Sequence, residues 1–532
     1  MDVFDKRDDS YDELIVDTVV EKFCGKTEIQ NFYTDKTILI TGGSGFLGLL
    51  LIEKLLRSCS DLKKVILIVR EKRGKSVRTR IKEIFNDEIF EKMKIQNPNY
   101  WKKVQIITGC CEAPMMGMGE DQVKKLQSEV NIVFHSAATV RFDEHIRNAY
   151  ETNVSGTKYL LEIAKGMRNL KAFVYVSTAY AQSHLPHIEE KIYPGALTDE
   201  EMSILLKGLD DKTLGCLTPI ILNGRFNTYT MTKGIAEEVV AKHRHELPVA
   251  IFRPSIVTAT VSDPLTCWTN NIYGATGVFV GSGVGFLRTL YCDPDCKAEI
   301  VPADRVVSGL IAVPLHIQKN YYNASQDTSR SLVKDPVYNF VANQSNVLTW
   351  GSLQEVMIGL AKERSLATDT MIWTFHLSLD KHYTLWLIKY FLFHLFPAPF
   401  FMLMELIMKQ KPRIWNGYIK LYKYTQLYSF FMVRSWQIGE TNTKDLYNSM
   451  TREDKLLFNC KTEIDWDYYF FYMTKGLGNY IVKFNWNNSH KVQTRAKILG
   501  IIDRALIWSA RGLMFLLGFK LILAVINYFL VV

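Results

Sequence analysis

Tyr229 and Lys233 stand four residues apart in Tyr229-Thr230-Met231-Thr232-Lys233. On a helix that spacing puts both side chains on one face. An ammonium beside a phenol favours the phenolate and draws its pKa down from about 10. Such a tyrosine can exchange a proton with a carbonyl oxygen while hydride arrives at the carbon. Upstream, Val174–Tyr180 reads V-Y-V-S-T-A-Y, a strand ending in hydroxyl residues. Ser177 or Thr178, at the C-terminal end of that strand, could hold the same oxygen, since ligands of open α/β sheets bind there. A Y-x-x-x-K arises often by chance, and a pair of hydroxyls can simply end a strand. The pattern gains meaning from what precedes it.

Those residues need a scaffold, and the scaffold begins at Thr37–Thr41, TILIT, a β-branched run suited to a buried parallel strand. Gly42, Gly43, Ser44, Gly45, Phe46, Leu47 and Gly48 follow at once, and the apolar stretch from Leu49 to Leu56 reads as a helix. Strand, G-x-x-G-x-x-G turn and helix in that order form a dinucleotide-binding unit, with pyrophosphate at the helix N-terminus. The next strand, Lys64–Val69, ends in Arg70 with Glu71, Lys72 and Arg73 behind it. An NAD site places an acid at this point for the ribose 2′-hydroxyl. A base there suits the 2′-phosphate of NADPH, with Arg70 the first partner and Lys72 close by; the competing reading is a solvated basic loop. Val104–Thr108, Asn131–Ser136, Phe173–Ser177 and Ala250–Arg253 read as further strands, with helical stretches such as Val154–Met167 between them. The alternation predicts an α/β fold, a doubly wound Rossmann-type parallel sheet.

The net charge of the 532 residues is +9, yet residues 1–36 hold ten acids and five bases. The bases elsewhere are dispersed, which argues against nucleic acid and for a membrane surface. The first 30 residues have no apolar run and acids where a secretory signal needs bases, so none is expected. Leu513–Val532 has twenty residues and one charge, Lys520. That length spans a bilayer core of about 30 Å, and Arg495, Lys497, Arg504 and Arg511 before it predict that the bulk of the chain faces the cytosol. A second apolar stretch, Thr384–Met408, contains Pro397 and Pro399, which break helices; it reads as a hairpin dipping into the interface, the wall of a channel, or a core. Nine cysteines are too few for a disulfide scaffold. Cys292 and Cys296 have no second pair, so no metal site is expected.

T-G-G-S-G-F-L-G, Phe134-His135-Ser136-Ala137-Ala138-Thr139-Val140-Arg141-Phe142-Asp143-Glu144, Asn153-Val154-Ser155-Gly156-Thr157, V-S-T-A-Y, Y-T-M-T-K and Arg253-Pro254-Ser255-Ile256-Val257 occur together in this order. The combination resembles the eukaryotic fatty acyl-CoA reductases, members of the extended short-chain dehydrogenase/reductase superfamily, over residues 36–480. Met450–Lys483, with Phe458, Asp465, Trp466, Tyr468 and Gly476, matches their mainly helical C-terminal domain more loosely. The resemblance implies reduction of a fatty acyl-CoA by two NADPH to a primary alcohol, through an aldehyde, with release of CoA. It implies Tyr229 as general acid, Lys233 as its tuner and a ribose ligand, and Thr178, ahead of Ser177, as the group orienting the carbonyl. Thr41–Gly48 would hold the pyrophosphate, Ser136, Ala137 and Ala138 would lie beside the cofactor, and Pro254, Ile256 and Val257 near the nicotinamide. Asn153 would support the active-site helix or a water near Lys233, on the cofactor side.

On this reading residues 1–35 are an acidic extension, 36–320 the NADP-binding domain, 321–370 a connecting region, 371–483 the C-terminal domain and 513–532 the membrane segment. The endoplasmic reticulum is the expected membrane, the peroxisome the alternative. Two departures stand out. Gly109 is followed by Cys110 and Cys111 where the family places an acid for the adenine. Asp263-Pro264-Leu265-Thr266-Cys267-Trp268 carries cysteine for the family's glycine, beside the expected substrate entrance. His135 reads as packing, and Asp143 and Glu144 as acids of a helix start. The sequons at Asn323, Asn343 and Asn487 would be idle in a cytosol-facing chain. The rival readings are a membrane-bound sterol dehydrogenase of the same fold and a non-catalytic NADPH-binding membrane protein.

Overall fold

The structure, a computed structural model, describes residues 25–71, 74–195, 197–322, 334–364, 371–407, 411, 413–483 and 489–531. Lys72, the acidic stretch before residue 25, and the sequons Asn323 and Asn487 lie outside them. The chain forms two compact units. The first comprises the chain up to Asn271 with Lys297–Leu348 and Arg434–Gly476; the second comprises Ile272–Cys296, Thr349–Val433 and Leu477–Val532.

The first unit is built on a seven-stranded parallel sheet among the described residues: β1 Thr37–Thr41, β2 Lys64–Val69, β3 Val104–Thr108, β4 Ile132–His135, β5 Ala172–Val176, β6 Val249–Pro254 and β7 Val337–Phe340. Their spatial order is β7-β6-β5-β4-β1-β2-β3. The order reverses between β1 and β4, and such a switch point opens a crevice at the strands' C-terminal ends. Apart from the edge strand β3, where Ile107 alone is buried, the strands are buried on both faces, which is why they are runs of apolar residues and do not alternate. Leu39, Val133, Phe173 and Ile251 enter a core with Leu160 and Leu161 of helix Gly156–Lys165 and with Ile235 and Val239 of helix Thr228–Lys242. Phe252 of β6 and Phe340 of β7 stack with centroids 5.4 Å apart. Helix Ala303–Ile317 comes so close to them that a Cβ on Gly309 would lie 2.7 Å from the Phe340 ring.

Two elements differ from the sequence reading. The helix expected from Val154 opens instead with a π-helical turn, Glu151–Ser155, before Gly156–Lys165. Such turns occur often at functional sites, and this one carries Asn153. The seventh strand, Val337–Phe340, lies in the stretch read as a connection. Four residues beyond a long excursion leave little periodicity to detect, and only their pairing with β6 makes them a strand.

In the second unit a short parallel pair, Thr289–Tyr291 with Ser378–Asp380, is surrounded by helices. Tyr383–Tyr390 continues as a π-helical turn, Phe391–Leu395, breaks at residues 396–397 and resumes as Ala398–Ile407. Pro397 thus sits in the break and Pro399 in the first turn of the second helix, where its missing N–H costs nothing. Among the described residues this run, Tyr383–Ile407, is long and apolar enough to cross a membrane. The chain ends in a 43-residue helix, Ser489–Val531, that contains the apolar tail.

Candidate active site

Gly42 leaves β1 with φ +74, in the left-handed region, and a Cβ there would lie 2.7 Å from the Ala137 nitrogen. Gly48 passes so close that its Cβ would sit 2.2 Å from the Gly42 oxygen. Only glycine fits either place. The helix that follows, Phe46–Ser58 (α1), is N-capped by Gly45 with no side-chain hydrogen bond. Its first amides are therefore free to face an anion. Gly43 is buried, while Ser44 and Gly45 are exposed and Phe46 and Leu47 half-buried on the rim. A cradle that any Cβ would fill, closed by an uncapped helix N-terminus, fits the pyrophosphate of a dinucleotide.

Thr41 departs from the expected role. It is buried, and its hydroxyl lies 2.6 Å from His135 Nδ1 while accepting the Ala137 N–H at 3.3 Å. Ser136 Oγ donates to the Thr41 carbonyl at 2.9 Å. Thr41 and Ser136 thus brace the turn, and Ala137 and Ala138 continue the half-buried loop beside it. His135 Nε2 meets Thr157 Oγ1 at 2.9 Å, and Thr157 in turn donates to the Asn153 carbonyl at 2.7 Å. Thr157 has one proton and spends it on Asn153, so Nε2 carries the proton of the imidazole and Nδ1 accepts from Thr41. Burial, with the charge of Lys233, holds the imidazole down at about 3, so it stays neutral.

Asn153 is likewise engaged by protein. Its Oδ1 accepts the Thr139 N–H at 2.8 Å, and its Nδ2 donates to the Thr139 carbonyl at 3.2 Å and to Thr232 Oγ1 at 3.0 Å. Through Thr232 it is tied to the helix that carries Tyr229.

Helix Thr228–Lys242 (α2) is capped by Asn227, whose Oδ1 accepts the Thr230 N–H at 2.8 Å. Tyr229 and Lys233 lie one turn apart on it. Thr178 caps the turn Ala179–Gln182, its hydroxyl accepting the Tyr180 N–H at 3.3 Å, and it stands close enough to the Tyr229 phenol to favour the phenolate. Phe142 stacks on the Tyr229 ring at 5.8 Å. Ser177 Oγ is buried without a hydrogen-bond partner, as is Ser255 Oγ in the loop between β6 and Ile256–Thr258. Pro254 is buried with Ser255, whereas Ile256 and Val257 are half-exposed.

The Lys233 ammonium bonds the backbone at the end of β5, donating to the Val176 carbonyl at 2.7 Å, and lies 4.6 Å from the Tyr175 ring centroid. Burial pulls Lys233 down to about 7, opposed by Glu237 and Cys111. Burial pushes the Tyr229 phenol above its ordinary value, opposed by Thr178. The phenol is therefore a proton-carrying acid at neutral pH. A helical spacing gives the face, but the depth of the site decides the charge.

At the far end of the turn the structure adds two residues that the sequence reading missed. Arg80 Nη2 donates to Ser44 Oγ at 3.0 Å and Nη1 to the Arg70 carbonyl. Arg70 pairs with Glu112 at 3.1 Å, and Thr152 Oγ1 donates to the same carboxylate at 3.1 Å. Arg80 lies ten residues beyond Arg70 on helix Val77–Phe85, too far along for a local motif to join them. Glu112 supplies an acid three residues after Gly109, where Cys110 and Cys111 had left none expected.

The Asp263–Trp268 segment is locked to α1. Asp263 accepts from Lys54 at 2.5 Å and from Arg57 at 2.7 Å, and Arg57 also pairs with Glu53 at 2.5 Å. Trp268 stacks on Phe46 at 5.7 Å. Cys267 has φ +51, the conformation that explains a glycine in the pattern. It is buried, not at an opening, and a Cβ on Gly476 would lie 2.2 Å from its carbonyl.

A family model described as male sterility protein matches residues 40–310, and a second of the same description matches residues 393–484. The chain is 38% identical over 478 residues to the fatty acyl-CoA reductase wat of Drosophila melanogaster, covering 89% of this chain and 90% of the relative. It is 33% identical over 460 residues to fatty acyl-CoA reductase 2 of Bos taurus, covering 86% of each. Among solved structures it resembles the terminal R domain from the myxalamid PKS-NRPS biosynthetic pathway, with TM-score 0.54 and 18% identity, covering 84% of this chain and 91% of that one. It also resembles the reductase domain of a nonribosomal peptide synthetase from Mycobacterium tuberculosis, with TM-score 0.53 and 16% identity over 87% of this chain and 95% of that one. At those identities the two structures speak for the fold alone.

Proposed function

The chain belongs to the fatty acyl-CoA reductase family, and from that membership we propose that it reduces a long-chain fatty acyl-CoA to the primary alcohol with release of CoA. One acyl-CoA, two NADPH and two protons give one alcohol, one CoA thiol and two NADP+. The cofactor supplies the hydride at each stage. The observation that carries the reading is Tyr229 and Lys233 one turn apart on one helix, with Thr178, just past β5, beside the phenol.

Thr178 and Tyr229 together hold the carbonyl oxygen, and Tyr229, kept protonated by burial, gives it a proton as hydride adds to the carbon. The tetrahedral product of a thioester expels the CoA thiolate and leaves an aldehyde. The same pair then serves the aldehyde, which becomes the alcohol. Lys233 stands one turn from Tyr229 for the nicotinamide ribose. Gly42, Gly45 and Gly48 leave room for the pyrophosphate. Arg70 and Arg80 favour NADPH, because the Arg80 guanidinium on Ser44, with the Arg70 charge near it, matches a 2′-phosphate.

The apolar helix 513–532 attaches the protein to a membrane, with the catalytic unit in the cytosol at the endoplasmic reticulum or, as the alternative, the peroxisome. A sterol dehydrogenase is not favoured, since the curated relatives named above are acyl-CoA reductases.

The test is to incubate detergent-solubilised protein with palmitoyl-CoA and NADPH and to follow thiol and lipid products together. Thiol with alcohol at two NADPH per thiol is expected. Thiol with aldehyde at one NADPH would move the second reduction to another enzyme, and no thiol at any chain length would overturn the reading. Removing residues 513–532 is expected to release the protein from membranes.

A further inference from the structure

The helical run Tyr383–Ile407 is apolar on the side that its own unit does not cover. Trp386, Tyr390 and His394 recur every four residues and are at most 1% exposed. Tyr390 donates to the Tyr418 carbonyl, Trp386 stacks on Tyr422 at 5.7 Å, and Lys389 bonds Asp380 at 2.6 Å. One face is thus fixed to helix Ile414–Met432 and to the short strand pair. On the other face Ile388, Phe391, Phe396, Phe400, Leu403 and Ile407 are 53–67% exposed. Only 18% of the run's most apolar window is buried, the reverse of a core helix. Monomeric soluble proteins rarely leave so large an apolar surface open.

We propose that this broken helix is a second membrane contact, lying in the headgroup and upper acyl region of an anionic leaflet without crossing it. The proposal rests on the membrane-bound reading above and adds a site that the tail does not explain. Three observations select lipid as the occupant. The arms on either side of the break at residues 396–397 are too short to cross. The first has eight α-helical and five π-helical residues, the second ten. At 1.5 Å per residue these reach about 20 and 15 Å, against about 30 Å of hydrocarbon. The inner face is anchored to protein along the first arm, so that arm can present only its outer side. The charge is also one-sided: residues 381–430 hold seven Lys or Arg and a single acid, Glu405. Lys381, Lys411, Arg413, Lys420 and Lys423, which flank the run in sequence, are all exposed. Bases flanking exposed aromatic and aliphatic side chains suit an interfacial helix on an anionic surface.

The experiment places the photo-cross-linker p-benzoylphenylalanine at Phe396, or in a second protein at Phe519 of the tail, in the full chain reconstituted with phosphatidylcholine vesicles with or without 30 mol%, a chosen amount of about one lipid in three, phosphatidylserine. Lipid adducts at both positions are expected, with a several-fold higher yield at Phe396 when phosphatidylserine is present. Changing Lys411, Arg413, Lys420 and Lys423 together to Gln should remove that gain and leave the Phe519 adduct unchanged. A Phe519 adduct without one at Phe396 overturns the proposal and leaves the tail anchor standing. Lipid adducts at neither position overturn both. Cross-linking of Phe396 to a second copy of the chain overturns it in favour of a dimer.

Discussion

His135 and Thr41 share a hydrogen bond of 2.6 Å between Nδ1 and Oγ1, at the point where β1 enters the glycine turn. The other side of the same ring bonds Thr157, which bonds Asn153, which bonds Thr232 on the helix of Tyr229. A buried polar chain therefore ties the glycine turn to the helix that carries Tyr229. Such chains are stabilising only when every member is satisfied.

His135→Ala strands the Thr41 proton and one Thr157 lone pair, while Thr41 still accepts the Ala137 N–H and Thr157 still donates to the Asn153 carbonyl. The expected loss is about 1–3 kcal/mol for each stranded group, read as a lower unfolding midpoint. The imidazole is already neutral from about 3 upward. The pH profile of activity between 5 and 8 should therefore keep its shape in the wild type and show no inflection due to this residue. An inflection that the alanine variant loses would contradict this assignment.

Tyr229→Phe removes the proton donor and keeps the ring that stacks on Phe142. Turnover should fall by about 10²–10⁴, the usual worth of general acid catalysis. NADPH affinity, measured by fluorescence titration, should stay within a factor of a few. Retained turnover would remove Tyr229 from the chemistry.

Arg80→Ala and Arg70→Ala should each weaken NADPH by about tenfold or more, as loss of a charge-assisted hydrogen bond of 1.5–3 kcal/mol requires. NADH should change little, because it has no 2′-phosphate. Equal losses for both cofactors would make the two arginines scaffolding for the turn.

Lys233 sits at about 7 in the fold against an ordinary 10.5. Below about 7 both folded and unfolded chains hold the proton, and burying that charge is a constant penalty. Between about 7 and 10.5 the unfolded chain holds a proton that the fold has released, so stability rises with pH across that window and then levels. Thermal unfolding in detergent at pH 7 to 10 should show this rise, and Lys233→Met should flatten it.

Asp263→Asn takes a carboxylate from buried Lys54 and Arg57 and leaves them to Glu53 alone. Breaking a buried pair in this way costs about 3–5 kcal/mol. Burial alone would raise the Asp263 carboxyl, but Arg57 and Lys54 hold it well below the usual carboxylate range. Its stabilisation is present above the unfolded value of about 3.9 and lost as pH falls below it. The variant should melt lower at pH 7, and adding Lys54→Met should recover part of the loss.

Local periodicity and turn chemistry determined much of this protein from sequence. The β-branched runs announce strands because the central ones are buried on both faces. Gly48 is required by a backbone contact six residues away and Gly42 by its left-handed φ, so their spacing announces the turn, whereas the closeness of Gly42 to Ala137 is tertiary. Tyr229 and Lys233 share a face because 3.6 residues make a turn. What the tertiary structure decided is everything that depends on distance along the chain or on depth. Arg80 meets Ser44 across 36 residues, and Thr41 meets His135 across 94. Lys54 and Arg57 meet Asp263 across more than 200 residues, and no local pattern encodes such pairings. The charge states of Tyr229 and Lys233 follow from burial, which a spacing cannot report, so the expected lowering of the tyrosine became a raising. Likewise the composition of 383–407 shows that it is apolar, but only the packing of Trp386, Tyr390 and His394 shows which face is left for a partner.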